Sequence, residues 1–408
     1  MLLAPALIHY LPHDRVIVSF VDGVYEPTLV TAEGGKILRE FENLGMLYAS
    51  IPPDARVSLS RNPSIEFLEI DSNFVTEVAD VDTSVEYSDS WGLEEIGAEP
   101  VHLLNYTGRG VKIAVLDTGV DYNHPELAQN YRGGYDFINN DDDPMDDNGH
   151  GTHVAGIIAA ARDGVGILGV APDGEIYALK VSDARGKGSF SGLVEGIGWA
   201  IENNMDIVTM SITGDGGSMS LDKAVNTAYE DYGIVLLAAV GNDASGSVLY
   251  PAAYGEVIGV GAVTSDGEKS SFSLTGSEVE LVAPGSGINS TAIGNNYRVA
   301  SGTSMATPFV AGAAALLLST DESIWKQSTS VNGDGEWTND EVRIVLREMA
   351  TDLGPDGKDN MFGYGLLNLR FPGEQADYSP TPESEDDPIP AQTLTHESLL
   401  FKFIRSLN

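Results

Sequence analysis

The chain has 408 residues, 42% of them hydrophobic, a size that allows one large globular domain with smaller attachments. Its 61 acidic and 22 basic residues give a net charge of −39, which argues against binding nucleic acid or an anionic membrane by charge and suits either salt adaptation or a merely acidic, soluble surface. The absence of cysteine excludes disulfides and a thiol nucleophile.

The first 80 residues are predicted to form a small α+β domain. Residues 15–20, 46–51 and 65–70 have the composition of strands, and residues 52–61 that of a short helix. In chain order these are two strands, a helix and a third strand, a pattern separate from that of the rest of the chain. This part of the chain is therefore predicted to fold separately from the rest.

The chain contains no apolar run long enough to span a bilayer. Residues 1–8 are apolar but lack the basic start and the long apolar core of a signal peptide. A removed or shortened leader and another route of export are both compatible with this beginning. Residues 81–90 belong to an acidic connector that links the small domain to the remainder.

Residues 91–370 alternate apolar strand runs with helices rich in small residues, which is typical of a parallel sheet with crossover helices. Long helices are predicted at residues 150–161 and 304–319. The predicted strands of this domain are 111–116, 176–181, 207–210, 234–239 and 257–263.

The composition changes after residue 370. Residues 371–394 are acidic and rich in proline, which predicts a disordered linker. Residues 395–408 place apolar side chains at helical spacing, so a short amphipathic helix is predicted there. Docking on the large domain, binding a partner and sorting are the three roles open to it.

Three runs present a reactive side chain among small residues. Asp117 ends an apolar strand in Asp-Thr-Gly, His150 opens a helix in Asn-Gly-His-Gly-Thr-His, and Ser304 opens another in Gly-Thr-Ser-Met-Ala. Small neighbours let a substrate backbone approach closely, and Asp, His, Ser is one of the known chain orders of a serine protease triad. An aspartic protease would need two Asp-Thr-Gly copies, and a zinc site at His150 and His153 lacks further ligands and an adjacent Glu.

These motifs resemble those of the subtilisin-like serine proteases, and the resemblance covers residues 14–370. It implies an α/β, three-layer fold in which a parallel sheet is flanked by helices. It also implies that residues 1–80 are similar to the ferredoxin-like α+β propeptide of that family, which assists folding and then inhibits the enzyme.

The same resemblance implies a role for each reactive residue. Ser304 would be the nucleophile, His150 the general base and then acid, and Asp117 the group that orients the imidazole. Asn242, in Ala-Ala-Val-Gly-Asn, would complete the oxyanion hole with the N–H of Ser304. The free N–H groups at the start of the predicted helix favour the same oxyanion.

The resemblance also implies a substrate groove that pairs with the backbone of an extended peptide. Thr213 and Leu249 add bulk to the pocket for the residue before the cut, so we expect weaker acceptance of large aromatic residues there. The Tyr250–Pro251 bond matches a cis peptide bond of the family. The groove residues that it implies are Gly186, Gly188, Phe190, Ser211, Ile212, Thr213 and Leu249.

Calcium is the cofactor that the resemblance implies. Six aspartates crowd the residues before His150, and hard divalent cations prefer oxygen ligands. By resemblance, one site would use Asp136 and Asp141 through carboxylates and Asp143 and Met145 through carbonyls. A second site would use Glu126 and Asp163. A solvated acidic loop is the alternative for each.

The function predicted from these features is a secreted, monomeric serine endopeptidase that acts on proteins through an acyl-enzyme. It would be made as a zymogen, inhibited by its own propeptide and matured by self-cleavage between about Glu77 and Tyr87. A protease dedicated to one partner protein, a catalytically silent binding module and a calcium-dependent surface module are the alternatives. The last leaves the Asp, His and Ser motifs unexplained.

Overall fold

The computed structural model describes residues 14–21, 23–75, 90–164, 166–243, 246–322, 331–332 and 334–370. The predicted connector at 81–90 lies outside these residues except for its last position. The predicted linker at 371–394 and the predicted C-terminal helix at 395–408 lie outside them entirely.

The small unit, residues 14–75, contains a four-stranded antiparallel sheet over residues 14–70 with the strand order β2-β3-β1-β4. Its β-α-β-β-α-β chain order is the ferredoxin-like arrangement. The three predicted strands are confirmed, whereas the predicted helix is shorter and one further helix and strand are present. The elements are β1 (Asp14–Phe20), α1 (Thr28–Ala32), β2 (Lys36–Phe41), β3 (Met46–Ile51), α2 (Ala55–Leu59) and β4 (Ile65–Ile70).

The two faces of this small sheet bury different side chains because neighbouring residues of a strand point to opposite faces. Val16 and Val18 pack with α1 and α2 in a core that belongs to the small unit alone. Ile17, Met46 and Tyr48 point the other way and join a core shared with the rest of the chain. The sheet is therefore covered on both faces.

The rest of the described chain, the body, is built on a seven-stranded parallel sheet with the order β13-β12-β11-β10-β6-β8-β7. Its strands are β6 (Lys112–Asp117), β7 (Tyr131–Asp136), β8 (Glu175–Lys180), β10 (Ile207–Met210), β11 (Val235–Ala239), β12 (Val257–Val263) and β13 (Val279–Pro284). Shorter strands outside this sheet are β5 (Asn73–Val75), β9 (Lys187–Ser189), β14 (Ile288–Ala292) and β15 (Asn296–Ala300).

Helices cover both faces of the parallel sheet, so the body has three layers, as predicted. Along β6, Ile113 and Val115 pack in the core of one face, and Ala114 and Leu116 in the core of the other. The first face carries α6, α9 and α10 and the second carries α7 and α8. The helices are α3 (Trp91–Glu95), α4 (Ala98–Leu103), α5 (Pro125–Ala128), α6 (His150–Ala159), α7 (Phe190–Glu202), α8 (Met219–Asn226), α9 (Thr303–Leu318) and α10 (Asn339–Met349).

The predicted strands and long helices of the body agree with the structure to within one or two residues. The strand order reverses between β6 and β10, since β7 and β8 lie on one side of β6 and β10 to β13 on the other. Ligands of open parallel sheets bind at the carboxyl ends of strands beside such a reversal. The fold therefore points to the end of β6, where Asp117 lies. Among the helices of the described residues, none is both long and apolar enough to cross a membrane.

Candidate active site

Asp117 and His150 form a buried pair. Nδ1 of His150 lies 2.7 and 2.9 Å from the two carboxylate oxygens of Asp117, and the side chains are 0% and 1% exposed. A carboxylate can only accept, so Nδ1 donates and the proton of a neutral imidazole sits there. Nε2 is then left as the acceptor, and it is buried with no hydrogen-bond partner among the described residues.

Ser304 is the second residue of α9 and is buried. Pro308 cannot donate the helical hydrogen bond that the Ser304 carbonyl would accept. The Ser211 hydroxyl donates to this carbonyl instead, at 2.9 Å, and the Ser304 hydroxyl donates to the Ser211 carbonyl at 3.2 Å. The segment after β10 therefore fixes the position of Ser304.

The side chain of Asn242 is hydrogen-bonded to Thr303, the first residue of α9. Its side-chain Oδ1 accepts from the backbone N–H of Thr303 at 2.8 Å and from the Thr303 hydroxyl at 3.0 Å. The Thr303 hydroxyl oxygen in turn accepts from the N–H of Gly241 at 3.2 Å. Because Oδ1 is held by Thr303, the Nδ2 donor of the same planar amide points away from it. Asn242 is therefore held against the residue that precedes Ser304.

A buried carboxylate that the sequence did not single out organises the turn before His150. Asp146 accepts from the hydroxyl of Thr118 at 2.9 Å and from the N–H groups of Asn148 and Gly149 at 3.0 and 2.9 Å. Its other oxygen accepts from the N–H and hydroxyl of Thr152 at 2.9 and 2.6 Å. An acid just before a predicted helix start is the signal that could have found it.

Two basic side chains hold the backbone on either side of the Asp117–His150 pair. Lys180 is buried and donates to the Thr118 carbonyl at 2.6 Å and to Asp147 Oδ1 at 2.5 Å. Arg298 donates to the Gly149 carbonyl at 3.0 Å, and burial lowers the pKa of its guanidinium. Neither could be found from local sequence, because each contact joins residues far apart in the chain.

His153 plays no part in this pair. It is buried in α6, and burial, with a smaller effect of Arg298, lowers its pKa to about 3. Its Nε2 lies 3.1 Å from the Arg298 carbonyl. A neutral, buried imidazole in contact with the backbone fits a structural role for His153.

The predicted groove residues lie in two segments beside the site. Strand β9 pairs antiparallel with β5, with Phe74 opposite Gly188, so a chain segment already occupies this edge. Phe190 is buried in the core shared with the small unit, and Gly186 adopts a φ of 68°, which favours glycine.

The second groove segment contains Ser211, Ile212 and Thr213, all buried. Backbone hydrogen bonds of 2.9 and 3.2 Å join Gly214 to Tyr250. The Tyr250–Pro251 peptide bond is cis, which confirms that prediction. Half-buried Leu249 packs against Gly241, where a Cβ would lie 3.0 Å from its Cδ1. Leu249 thus lies next to the segment that carries Asn242.

At the first predicted calcium site, the aspartate side chains already accept hydrogen bonds from other residues of this chain. Asp136 accepts from the N–H groups of Ile138 and Asn139 at 2.7 and 2.8 Å, and Asp141 from the N–H of Asp143 at 3.0 Å. Asp143 accepts from the Tyr122 hydroxyl at 2.6 Å. Met145 follows in the same loop. Within the described part of the chain, no three histidine or acidic side chains converge as metal ligands.

At the second predicted site, Glu126 is only 2% exposed. Its Oε1 accepts from the Tyr297 hydroxyl at 2.6 Å, and burial followed by this hydrogen bond raises the pKa of Tyr297. Its Oε2 is buried and has no hydrogen-bond partner among the described residues. Asp163 is exposed on the neighbouring loop and close enough to raise the pKa of Tyr297 further. An orphaned carboxylate oxygen of this kind fits a cation.

Comparison with known proteins identifies a family and several relatives that match most of this chain. The profile of the subtilase family matches residues 108–365. Subtilisin E of Bacillus subtilis (strain 168) is 40% identical over 368 residues, which cover 88% of this chain and 89% of that protein. An alkaline protease of Alkalihalobacillus alcalophilus is 39% identical over 333 residues, covering 82% and 80%. A subtilisin of Bacillus pumilus is 46% identical over 285 residues, covering 69% and 97%.

Proposed function

Because the chain belongs to the subtilase family and is a serine endopeptidase, we propose that it cuts proteins through an acyl-enzyme formed on Ser304. The observation that carries this assignment is the buried contact of His150 Nδ1 with both Asp117 oxygens. It leaves Nε2 as a proton acceptor with no competing partner among the described side chains. Protein substrates follow from the family.

In the first half of the reaction, the Ser304 hydroxyl gives its proton to His150 Nε2 while its oxygen attacks the substrate carbonyl carbon. The negative charge that develops on the carbonyl oxygen is stabilised by the N–H of Ser304 and by Nδ2 of Asn242. Collapse breaks the peptide C–N bond, and His150 returns the proton to the leaving amine. Asp117 stabilises the imidazolium throughout.

In the second half, water replaces the amine. Its proton passes to Nε2 while its oxygen attacks the acyl carbon, and the same two donors stabilise the second oxyanion. Collapse releases the carboxylic acid, and His150 reprotonates Ser304.

The small unit acts, in this account, as the inhibitory propeptide of a zymogen. Strand β5 pairs with β9, the strand that contains the predicted groove residue Gly188. Next to it, the N–H of Phe190 donates to the carbonyl of Ser72 at 2.7 Å. A segment paired there blocks the β-pairing that a substrate needs. Self-cleavage would follow between about Glu77 and Tyr87, and the matured enzyme would act as a secreted monomer.

Calcium is proposed as a structural ion. Glu126 and Asp163 would hold it, since Glu126 carries the orphaned buried oxygen. The first predicted site, at Asp136, Asp141, Asp143 and Met145, has carboxylates already engaged by their own loop and fits less well. The ion would supply charge neutralisation at Glu126, so chelation should lower the melting temperature of the Ser304→Ala protein and leave that of Ser304→Ala/Glu126→Gln much less changed.

The test compares the full chain with its Ser304→Ala variant in calcium buffer, by intact mass and casein hydrolysis. The wild type should lose about 80 N-terminal residues and digest casein, while Ser304→Ala stays whole and inactive. Digestion of casein by Ser304→Ala would contradict the assignment. A wild type that matures but spares casein would favour a dedicated processing protease.

Peptides with Phe or Ala before the cut test the pocket, where a strong Phe preference would contradict the bulk assigned to Thr213 and Leu249.

A further inference from the structure

One arginine of the small unit enters a receptor on the body. Arg39 NH1 lies 2.7 Å from Oε2 of Glu195 on α7, and its other terminal nitrogen donates to Asn140. The guanidinium carbon lies 6.0 and 5.6 Å from the ring centres of Tyr135 and Phe137. These four body residues, the Arg39 receptor, contact the guanidinium through charge, an amide oxygen and two aromatic rings.

The strand that carries Arg39 is irregular where this contact is made. The register between β2 and β3 shifts between Ile37 and Arg39, so Leu38 is the extra residue of a β-bulge. Ile37 packs in the core of the small unit, whereas Phe41 lies in the core shared with the body. Regular alternation would put both residues on the same face. The bulge therefore turns Arg39 and Phe41 towards the body.

The receptor suits a guanidinium better than an ammonium group. Glu195 is 8% exposed and Arg39 26%, so the pair is largely removed from water. Asn140 Oδ1 also accepts from the Tyr135 hydroxyl at 3.2 Å, which fixes the oxygen that meets the guanidinium. A planar cation with several donors can meet a carboxylate, an amide oxygen and ring faces at the same time, and an ammonium cannot.

Glu195 makes the receptor selective. Burial, opposed by Arg39 and reinforced by Asp71, raises the pKa of Glu195 to about 7. The ionised carboxylate is therefore costly to cover unless a cation comes with it. If the small unit docks without an arginine at this position, the Glu195 carboxylate is buried without a counter-charge. This disfavours docking far more than the loss of one contact would.

We propose that Glu195, Tyr135, Phe137 and Asn140 form an arginine-recognition site on the body that selects an inhibitory sheet carrying an arginine at the position of Arg39. This inference rests on the small unit being the propeptide. All four residues lie between 135 and 195, in the body, and so stay with it after maturation. The occupant is Arg39 of the same chain before cleavage and of the cleaved small unit afterwards.

The experiment follows full chains from refolding, recording self-cleavage by intact mass and activity with a peptide substrate. The delay between cleavage and activity measures how long the cleaved small unit stays bound. At pH 8, Arg39→Leu should shorten this delay at least tenfold, and Arg39→Lys should fall between Arg39→Leu and the wild type. The matured enzyme of either variant has the wild-type sequence, so its final activity should be unchanged.

A matched background separates recognition from general weakening. In Glu195→Gln chains no buried charge is left unpaired, so adding Arg39→Leu should shorten the delay less than threefold. Equal tenfold effects of Arg39→Leu in both backgrounds, or a wild-type delay in Arg39→Leu, would overturn the inference. If Arg39→Leu does not mature, the pair Arg39→Glu and Arg39→Glu/Glu195→Arg decides, and failure of the second change to lengthen the delay overturns it. A wild type that cleaves itself without any delay would instead contradict the propeptide assignment.

Discussion

At the scale of single residues, the Oδ1 atom of Asn242 accepts from Thr303, and we propose that its Nδ2 atom donates to the oxyanion. Replacing Asn242 with Ala should remove one oxyanion donor, together with the Oδ1 acceptor of the Thr303 N–H and hydroxyl at the start of α9. We expect kcat to fall roughly 100- to 1,000-fold with little change in KM. Steady-state kinetics on a peptide substrate measure this, and a fall seen only in KM would contradict the assigned role.

Asp146 illustrates how much a single buried carboxylate can contribute. Asp146→Ala leaves the turn donors at Asn148, Gly149 and Thr152 without their acceptor, so it should destabilise the protein by about 3 kcal/mol. Urea unfolding in the Ser304→Ala background, which avoids self-digestion, measures the loss. Exposed Asp142 in the same acidic run is the control, and Asp142→Ala should change stability by less than about 0.5 kcal/mol. Equal losses in the two variants would refute the assignment.

The residues found from sequence and those missed differ in one respect. Asp117, His150, Ser304 and Asn242 lie in local motifs whose small neighbours are visible in the sequence. Asp146, Lys180 and Arg298 act through partners that only folding brings near, such as the Gly149 carbonyl for Arg298. The acidic run before His150 is predicted to hold a cation through Asp136, Asp141, Asp143 and Met145; Asp146, which is not one of those residues, holds the turn.

At the scale of elements, two carboxylates of the small unit cap helices of the body. Glu69 accepts from the N–H and hydroxyl of Ser220 at 2.7 and 2.6 Å, at the start of α8. Asp71 accepts from the N–H and hydroxyl of Ser191 at 3.0 and 2.7 Å, at the start of α7. Acids at helix N-termini are stabilised by the free N–H groups and by the helix dipole.

Removing either cap should weaken the hold of the cleaved small unit. We expect Glu69→Gln and Asp71→Asn each to cost about 1 kcal/mol of docking free energy, which shortens the delay before activity about fivefold. Glu33→Gln, on the far side of the small unit, is the matched control. If both cap variants keep the delay of that control, the helix caps do not contribute to inhibition.

Elements were predictable where burial makes their sequence uniform. Five of the seven strands of the parallel sheet were placed to within a residue, because burial on both faces makes their sequences largely apolar. Strands β7 and β13 were not among the predicted strands, and β7 is only partly buried along most of its length. Strand β2 was missed because two of its three exposed residues are charged and its bulge breaks the alternation. Helix α1 was missed because it is short and has only one buried residue, Val30.

At the scale of the whole molecule, docking of the small unit is coupled to pH through Glu195. Its pKa is raised to about 7 in the docked state, mainly by burial. We expect the pKa to fall towards its ordinary value when the small unit leaves and water reaches the carboxylate. The docked state thus binds more protons, so docking should be strongest near pH 5 and weaken as pH rises to about 7. Above that it should be constant.

A second group, Glu66, sets the acidic limit of the pH range in which docking is strong. The hydrogen bond from Lys223 lowers the pKa of Glu66, so its contribution is present above the ordinary value and lost in acid. Between pH 5 and 8, the delay before activity should therefore shorten with rising pH in the wild type and stay nearly flat in Glu195→Gln. A delay that lengthens with pH in the wild type would show that another group controls docking.

The measurement that tests the central assignment most directly is covalent labelling of the matured enzyme with a fluorophosphonate, followed by peptide mapping. A serine made nucleophilic by His150 should take up one equivalent, on Ser304, in parallel with the loss of casein hydrolysis. His150→Ala and Ser304→Ala chains should take up none. Complete inactivation with the label on another residue, or full activity after Ser304 is labelled, would contradict the account.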